Sequence, residues 1–189
     1  QKLKSHNVIQ LLNEYFTIMT KVIFSFNGSI SKFSGNDIMA AFGAPLLSPE
    51  NALESLLAAM EMERQVKKLS ISFKEKFNID NFNIKIAINT GTVIYGNIGT
   101  AQRMEFTILG QATITAGKLQ AFTSPGSIVL GQTTYERVKP IINVISVKNI
   151  PMESEPAGFL KVYEVESEIK GKVYIKQENT VKSEYNIRE

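Results

Sequence analysis

The chain has 189 residues, of which 43% are hydrophobic and 21% are charged, and its formal net charge is +3. This length suits one domain with a buried core, and the composition argues against a disordered chain. The absence of cysteine excludes disulfides, thiolate metal sites and a cysteine nucleophile. The single histidine, His6, excludes a multi-histidine zinc site.

The basic residues are scattered along the sequence and form no dense stripe, so we expect no nucleic-acid partner. No apolar run approaches the roughly 18 residues that a membrane-spanning helix needs, and no signal peptide is recognisable. We therefore expect a cytoplasmic domain with no membrane insertion in this segment, either alone or as the cytoplasmic part of a larger protein.

Apolar residues recur at spacings of three and four over residues 6–26, which predicts an amphipathic helix. Residues 29–33 and 38–42 read as two short strands, and the turn formers Gly35 and Asn36 lie between them. This pattern predicts a β-hairpin. A long helix is predicted from Pro49 to about Phe77, because its leucines, Met60 and Val66 form one apolar stripe.

Further along, short strands alternate with two short helices. We expect the strand at 92–95 to be closed by a turn at 96–99, where glycine and asparagine cluster. The other predicted strands are 83–87, 106–109, 128–130, 141–147 and 159–165, and the helices are 111–122 and 133–138. This interleaving predicts an α+β sandwich with helices on one face. We expect one domain over 1–166 and a polar C-terminal extension over 167–189.

Several stretches, in order and spacing, resemble the class III adenylate/guanylate cyclases. They are Leu11-Leu12-Asn13-Glu14-Tyr15-Phe16, then the run Lys32-Phe33-Ser34-Gly35-Asn36-Asp37-Ile38-Met39-Ala40-Ala41-Phe42-Gly43-Ala44-Pro45, the segment 88–110 and Val162-Tyr163-Glu164-Val165. The resemblance implies a ferredoxin-like core with a mostly antiparallel sheet, and head-to-tail dimers that bind ATP or GTP between subunits. It also implies two Mg²⁺ or Mn²⁺ ions held by two aspartates, and a cyclic nucleotide plus pyrophosphate as products.

The family's first metal aspartate lies on an opening strand before the first helix, and we expect this strand to be missing from the sequence. The second falls at Asn36, a neutral residue and a weaker ligand for a hard cation. Asp37 is the adjacent metal candidate, although neighbouring strand residues point to opposite faces. From the sequence pattern alone, Asn36 and Asp37 are interpreted as an ordinary hairpin turn.

Lys32 matches the family lysine that recognises adenine, and Thr107 matches a base-contacting threonine of bacterial adenylate cyclases. Without the resemblance, Lys32 is interpreted as a solvated lysine on a strand, and Thr107 as a β-branched residue packed in a strand. As a pair they favour ATP over GTP.

The family's asparagine and arginine, which stabilise the reacting triphosphate and ribose, fall at Ile114 and Lys118. Ile114 has no donor, so we read it as a core or dimer-interface residue, while Lys118 keeps its charge without the guanidinium fork. Lys118 is either a phosphate contact or a plain surface lysine. Lys148 is the nearest candidate for a further phosphate-contacting lysine.

These replacements lead to two hypotheses. The chain is either an adenylate cyclase domain of weak or lost activity, acting as a homodimer or as half of a heterodimer, or an inactive pseudo-cyclase that binds nucleotide or regulates a partner. A nucleic-acid-binding sandwich is a third reading, and the sheet lacks the aromatic and basic strip that RNA-recognition sheets carry.

Overall fold

The computed structural model describes residues 5–152 and 158–170. The helices are α1 (Ser5–Ser25), α2 (Asn51–Phe77), α3 (Gln111–Ala121) and α4 (Gln132–Val138), and a 3₁₀ turn spans Lys139–Ile141. The strands are β1 (Gly28–Ser34), β2 (Asp37–Phe42), β3 (Ile86–Ile88), β4 (Ile94–Thr100), β5 (Arg103–Leu109), β6 (Ile128–Gly131), β7 (Ile142–Pro151) and β8 (Phe159–Ile169). Residues 171–189 of the expected C-terminal extension lie outside the described residues.

The strands form one four-stranded sheet and two separate hairpins. In the sheet the order is β3-β6-β8-β7, with β3 parallel to β6 and the other two pairings antiparallel. The hairpins are β1–β2 and β4–β5, both antiparallel. The predicted α+β class with a mostly antiparallel sheet is confirmed.

The sheet is packed on both faces because side chains alternate along β6. Ile128 and Leu130 join Leu56 of α2 in the main core, together with Val165 of β8. Val129, the residue between them, packs with Leu119 of α3 in a separate cluster. The long helices α1 and α2 therefore lie on one side of the sheet, and α3 lies on the opposite side. The expectation that the helices pack on one face holds for α1 and α2 but not for α3.

The predicted amphipathic stripe of α1 is buried against α2. Leu11, Tyr15 and Met19, spaced four residues apart, form a cluster with Val66 and Phe73. This packing holds α1 alongside α2, immediately before the β1–β2 hairpin.

The prediction of a turn at residues 96–99 is wrong. These residues form part of β4, and Gly99 pairs with Met104 near the end of a longer hairpin. A Cβ on Gly99 would overlap the carbonyl oxygen of Arg103. Gly99 therefore allows a close approach of the two strands, and the chain turns only after Thr100.

A carboxylate ties three strands of the sheet together. Glu164 on β8 accepts hydrogen bonds from Ser127 Oγ at 2.6 Å, next to β6, and from Ser146 Oγ at 2.8 Å, on β7. These two bonds lower the pKa of Glu164 below its ordinary value because they stabilise the charged form, and nearby Lys148 acts in the same direction.

Two glycines provide a matched test of the packing around α3. A Cβ on Gly131 would overlap Asn89 Oδ1, and the Asn89 amide cannot move freely because its Nδ2 donates to the Ala112 carbonyl at 3.1 Å. A Cβ on Gly117, within α3, would have open space around it.

We expect Gly131→Ala to lower the free energy of unfolding by about 1–3 kcal/mol, through overpacking and loss of the Asn89 hydrogen bond. We expect Gly117→Ala to be neutral or to raise it by about 0.5–1 kcal/mol, because alanine is the better helix former. Urea unfolding followed by circular dichroism measures both. Equal effects of the two substitutions would contradict the packing described for Gly131.

Candidate active site

The candidate metal residues lie at the turn of the first hairpin. Ser34, the last residue of β1, pairs with Asp37, the first residue of β2, so Gly35 and Asn36 form a two-residue loop. The side chains of Asn36 and Asp37 are both exposed. The hairpin predicted for this segment is confirmed, and both candidate residues are at its tip.

Asp37 is directed towards two helices of its own chain. Gln120 Nε2 on α3 donates a hydrogen bond to Asp37 Oδ1 at 3.5 Å. Burial raises the pKa of Tyr15 on α1 to about 12, and the negative charge of Asp37 contributes to this increase. The Asp37 carboxylate therefore lies close to both α1 and α3.

The donor set at this turn can be compared with the needs of a two-metal site. Within residues 5–152 and 158–170, no three acidic or histidine side chains converge where they could hold a metal ion. The turn offers one carboxylate, Asp37, beside the neutral amide of Asn36. Magnesium prefers carboxylate oxygens, and a two-metal site needs several of them. The described residues therefore do not by themselves fit the two-metal site that the resemblance implies.

The two candidate base-recognition residues lie on strands of different hairpins, β1 and β5. Lys32 is exposed on β1 and Thr107 is half-buried on β5. Ser31 Oγ, next to Lys32 in sequence, lies 3.4 Å from Thr107 Oγ1. The structure thus brings together two segments that are more than 70 residues apart in sequence.

Ile114 and Lys118 lie on one exposed face of α3. A different face of this helix buries Ala112, Thr115 and Leu119, whereas Ile114 is 55% exposed. Ile114 is therefore not a core residue of this chain, and that part of the sequence interpretation is wrong. Helical periodicity explains the result, since 114 and 118 are one turn apart and out of phase with the buried positions.

One face of the β4–β5 hairpin carries three exposed apolar side chains beside Glu105 and Thr107. Ile94 pairs with Leu109, and Ile98 lies on the same face of β4 four residues further on. These three side chains are 72%, 48% and 42% exposed, respectively. We call them the outer face of the hairpin. An apolar surface of this kind is typical of a protein interface.

Lys148 lies on β7 and its Nζ is 3.7 Å from Glu164 Oε2. It lines a small cavity with Ser146 and Glu164 on the sheet, beside Phe122 at the end of α3. Neither Lys32 nor Thr107 lines this cavity. The Lys148 ammonium is thus already paired with a carboxylate within its own chain.

Sequence reasoning missed a polar groove beside the sheet. It is bounded by residues 89–92 after β3 and 159–161 of β8, together with Gln111 and Thr115 of α3. The α4 residues that line it are Gln132, Thr133, Glu136 and Arg137. Thr134 Oγ1, buried on α4, lies 2.9 Å from Thr90 Oγ1 of this lining. The parallel pairing of β3 and β6 was the missing signal, because the carboxyl ends of parallel strands meet at one edge of a sheet.

Among the described residues, no helix is both long enough and apolar enough to cross a membrane.

Comparison with known proteins identifies the family to which this fold belongs. A family model described as "Adenylate and Guanylate cyclase catalytic domain" matches residues 1–176. "Adenylate cyclase 1" of Rhizobium meliloti is 26% identical over 113 residues, which cover 60% of this chain and 17% of that protein. "Adenylate cyclase, terminal-differentiation specific" of Dictyostelium discoideum is 29% identical over 177 residues, covering 90% of this chain and 8% of that protein. The chain thus spans less than a fifth of the length of either relative.

Two solved structures are similar to this chain in both sequence and fold. The adenylyl cyclase CyaB from P. aeruginosa is 27% identical with a TM-score of 0.82, over 87% of this chain and 84% of that one. The guanylyl cyclase Cya2 is 26% identical with a TM-score of 0.80, over 86% and 82%. Because the family model covers most of the sequence and these structures superpose on it, the chain belongs to the adenylate and guanylate cyclase catalytic domain family, the class III nucleotide cyclases.

Proposed function

We propose that this domain binds ATP in preference to GTP between two cyclase domains, and that it converts ATP to cyclic AMP and pyrophosphate weakly or not at all. The main support for the proposed loss of activity is the identity of a residue on α3. The exposed face of this helix presents Ile114 where the family has an asparagine that acts on the substrate, and a hydrocarbon side chain cannot donate a hydrogen bond.

The preference for ATP rests on Lys32 and Thr107. An exposed ammonium and a half-buried hydroxyl on strands of different hairpins can together donate to and accept from the edge of a purine. These are the residue types that the resemblance associates with adenine recognition.

The residues available to bind the phosphates are less suitable for their role than those available to bind the base. Lys118 is exposed and offers a point charge to a phosphate, without the two parallel hydrogen bonds that arginine forms. Lys148 is a less suitable candidate, because Glu164 already pairs with it.

The chemical step lacks several of its usual stabilising groups. Removing one electrostatic donor from an active site typically lowers the rate by about 10²–10³-fold, and groups that act together are not additive. Asn36, Ile114 and Lys118 all depart from the family pattern, and Asp37 alone supplies a carboxylate at the turn. Activity, where it remains, would require Mg²⁺ or Mn²⁺ and additional ligands.

We expect the protein to bind a non-hydrolysable ATP analogue more tightly than the matching GTP analogue, as measured by isothermal titration calorimetry. Lys32→Ala and Thr107→Ala should each weaken ATP-analogue binding by about tenfold, because each removes a hydrogen bond to the base. Lys21→Ala, which removes an exposed lysine on α1, is the matched control and should bind normally. Equal losses in all three variants would argue against a base site at Lys32 and Thr107.

We expect the purified chain to form cyclic AMP at least about 10²–10³-fold more slowly than an active adenylyl cyclase assayed beside it with Mg²⁺ or Mn²⁺. Asn36→Asp alone should leave the rate low, because Ile114 still supplies no donor. The triple variant with Asn36→Asp, Ile114→Asn and Lys118→Arg should exceed the product of the single effects. Turnover by the unaltered chain at ordinary cyclase rates would refute the proposed loss of activity.

A second candidate function is a pseudo-cyclase that acts as a dimerisation or regulatory module. The observation that favours it is the outer face of the hairpin, where Ile94, Ile98 and Leu109 are exposed. We propose that a second cyclase domain covers this face, either another copy of the chain or a different cyclase. This function needs no catalytic groups, so the replacements at Asn36 and Ile114 would not impair it.

An apolar interface at this face should be sensitive to charge. We expect Ile94→Asp to convert an assembled species to monomer in sedimentation equilibrium, since a buried unpaired carboxylate is costly. Ile71→Asp is the matched control, because Ile71 is similarly exposed on α2, away from the hairpin. Assembly that survives Ile94→Asp, or that Ile71→Asp disrupts equally, would place the interface elsewhere.

A further inference from the structure

A hydroxyl–hydroxyl contact links the two strands that carry the proposed base site. Ser31 Oγ lies 3.4 Å from Thr107 Oγ1, and both side chains are half-buried. Either oxygen can donate to the other. No other side-chain hydrogen bond of Thr107 is seen among the described residues.

A bulge in β1 places Ser31 at this contact. In the β1–β2 hairpin Ile30 pairs with Ala40 and Lys32 pairs with Met39, so Ser31 is the additional residue on β1. A bulge changes the direction of a side chain relative to a regular strand. Here the redirected hydroxyl meets a residue of the other hairpin.

The hydrogen-bonding pattern of adenine determines the direction of the Thr107 hydroxyl proton. Lys32 can only donate, so it suits the ring nitrogen N1 of adenine, which is an acceptor. The neighbouring group on adenine is the 6-amino group, a donor, so Thr107 must accept there. Its own hydroxyl proton then needs another acceptor, and Ser31 Oγ is within reach.

Guanine in the same pose presents the opposite pattern. Its N1 carries a hydrogen that faces the Lys32 ammonium, and its 6-oxo group is an acceptor that faces the accepting lone pairs of Thr107. A Thr107 hydroxyl held towards Ser31 therefore disfavours guanine. A Thr107 hydroxyl free to rotate could donate to the 6-oxo group and remove part of this penalty.

We propose that Ser31 is a positioning residue that sets base selectivity by accepting the Thr107 hydroxyl proton, which makes Thr107 an acceptor for the amino group of adenine. This inference rests on the proposed nucleotide site at Lys32 and Thr107, and it extends that proposal to a residue outside the family motif.

The experiment compares four variants by isothermal titration calorimetry with non-hydrolysable ATP and GTP analogues in magnesium buffer. We expect Ser31→Ala to lower the ratio of ATP-analogue to GTP-analogue affinity about threefold to tenfold, the range for one net hydrogen bond. Ser31→Thr keeps the hydroxyl and should hold the ratio within about twofold of the unaltered protein. In the Thr107→Ala background, Ser31→Ala should produce no further change in the ratio.

The outcomes separate this inference from the proposed function. If the unaltered protein binds neither analogue, both are overturned. If ATP-analogue binding depends on Lys32 but Ser31→Ala leaves the ratio unchanged, only the role of Ser31 is overturned. A Ser31→Ala effect that is equal for both analogues, or that persists in the Thr107→Ala background, also overturns it, because a merely structural change would behave in that way.

Discussion

The burial of α2 against β6 and β8 is the packing interaction on which the candidate site depends. Leu56 of α2 is fully buried with Ile128 and Leu130, and this layer fixes the sheet relative to the long helices. Because Val129 then faces the other way, α3 has an apolar surface to pack on at the opposite side. The frame that results holds the β1–β2 hairpin, the β4–β5 hairpin and the outward face of α3 in place.

Local patterns were sufficient to predict much of this fold. Helices α1 and α2 were predicted from the spacing of their apolar residues, and the β1–β2 hairpin from the turn formers between its strands. Each of these patterns involves residues close in sequence, and the structure confirms all three elements. Local patterns failed at residues 96–99, where glycine and asparagine suggested a turn. There a long-range constraint prevailed, because the cross-strand pairing with Arg103 and Met104 continues the ladder.

The site was less predictable because its contacts join distant segments. Positions such as Lys32, Asn36 and Ile114 could be identified from motif spacing alone. The contacts of Ser31 with Thr107, and of Asp37 with Gln120, span 76 and 83 residues, respectively. A bulge and the packing side of a helix decide them, and neither has a signature in local sequence. The exposure of Ile114 likewise followed only from the phase of the buried residues on α3.

The stability of the β4–β5 hairpin against local opening depends on what binds to it. A two-stranded hairpin is only marginally stable by itself, and residues 97–105 at its far end are all exposed. Such a segment opens locally at a lower free-energy cost than the core requires for global unfolding. A partner that binds only the closed hairpin raises this cost by mass action. The concentration of that partner would then set how long the amide hydrogens of the hairpin survive exchange with solvent.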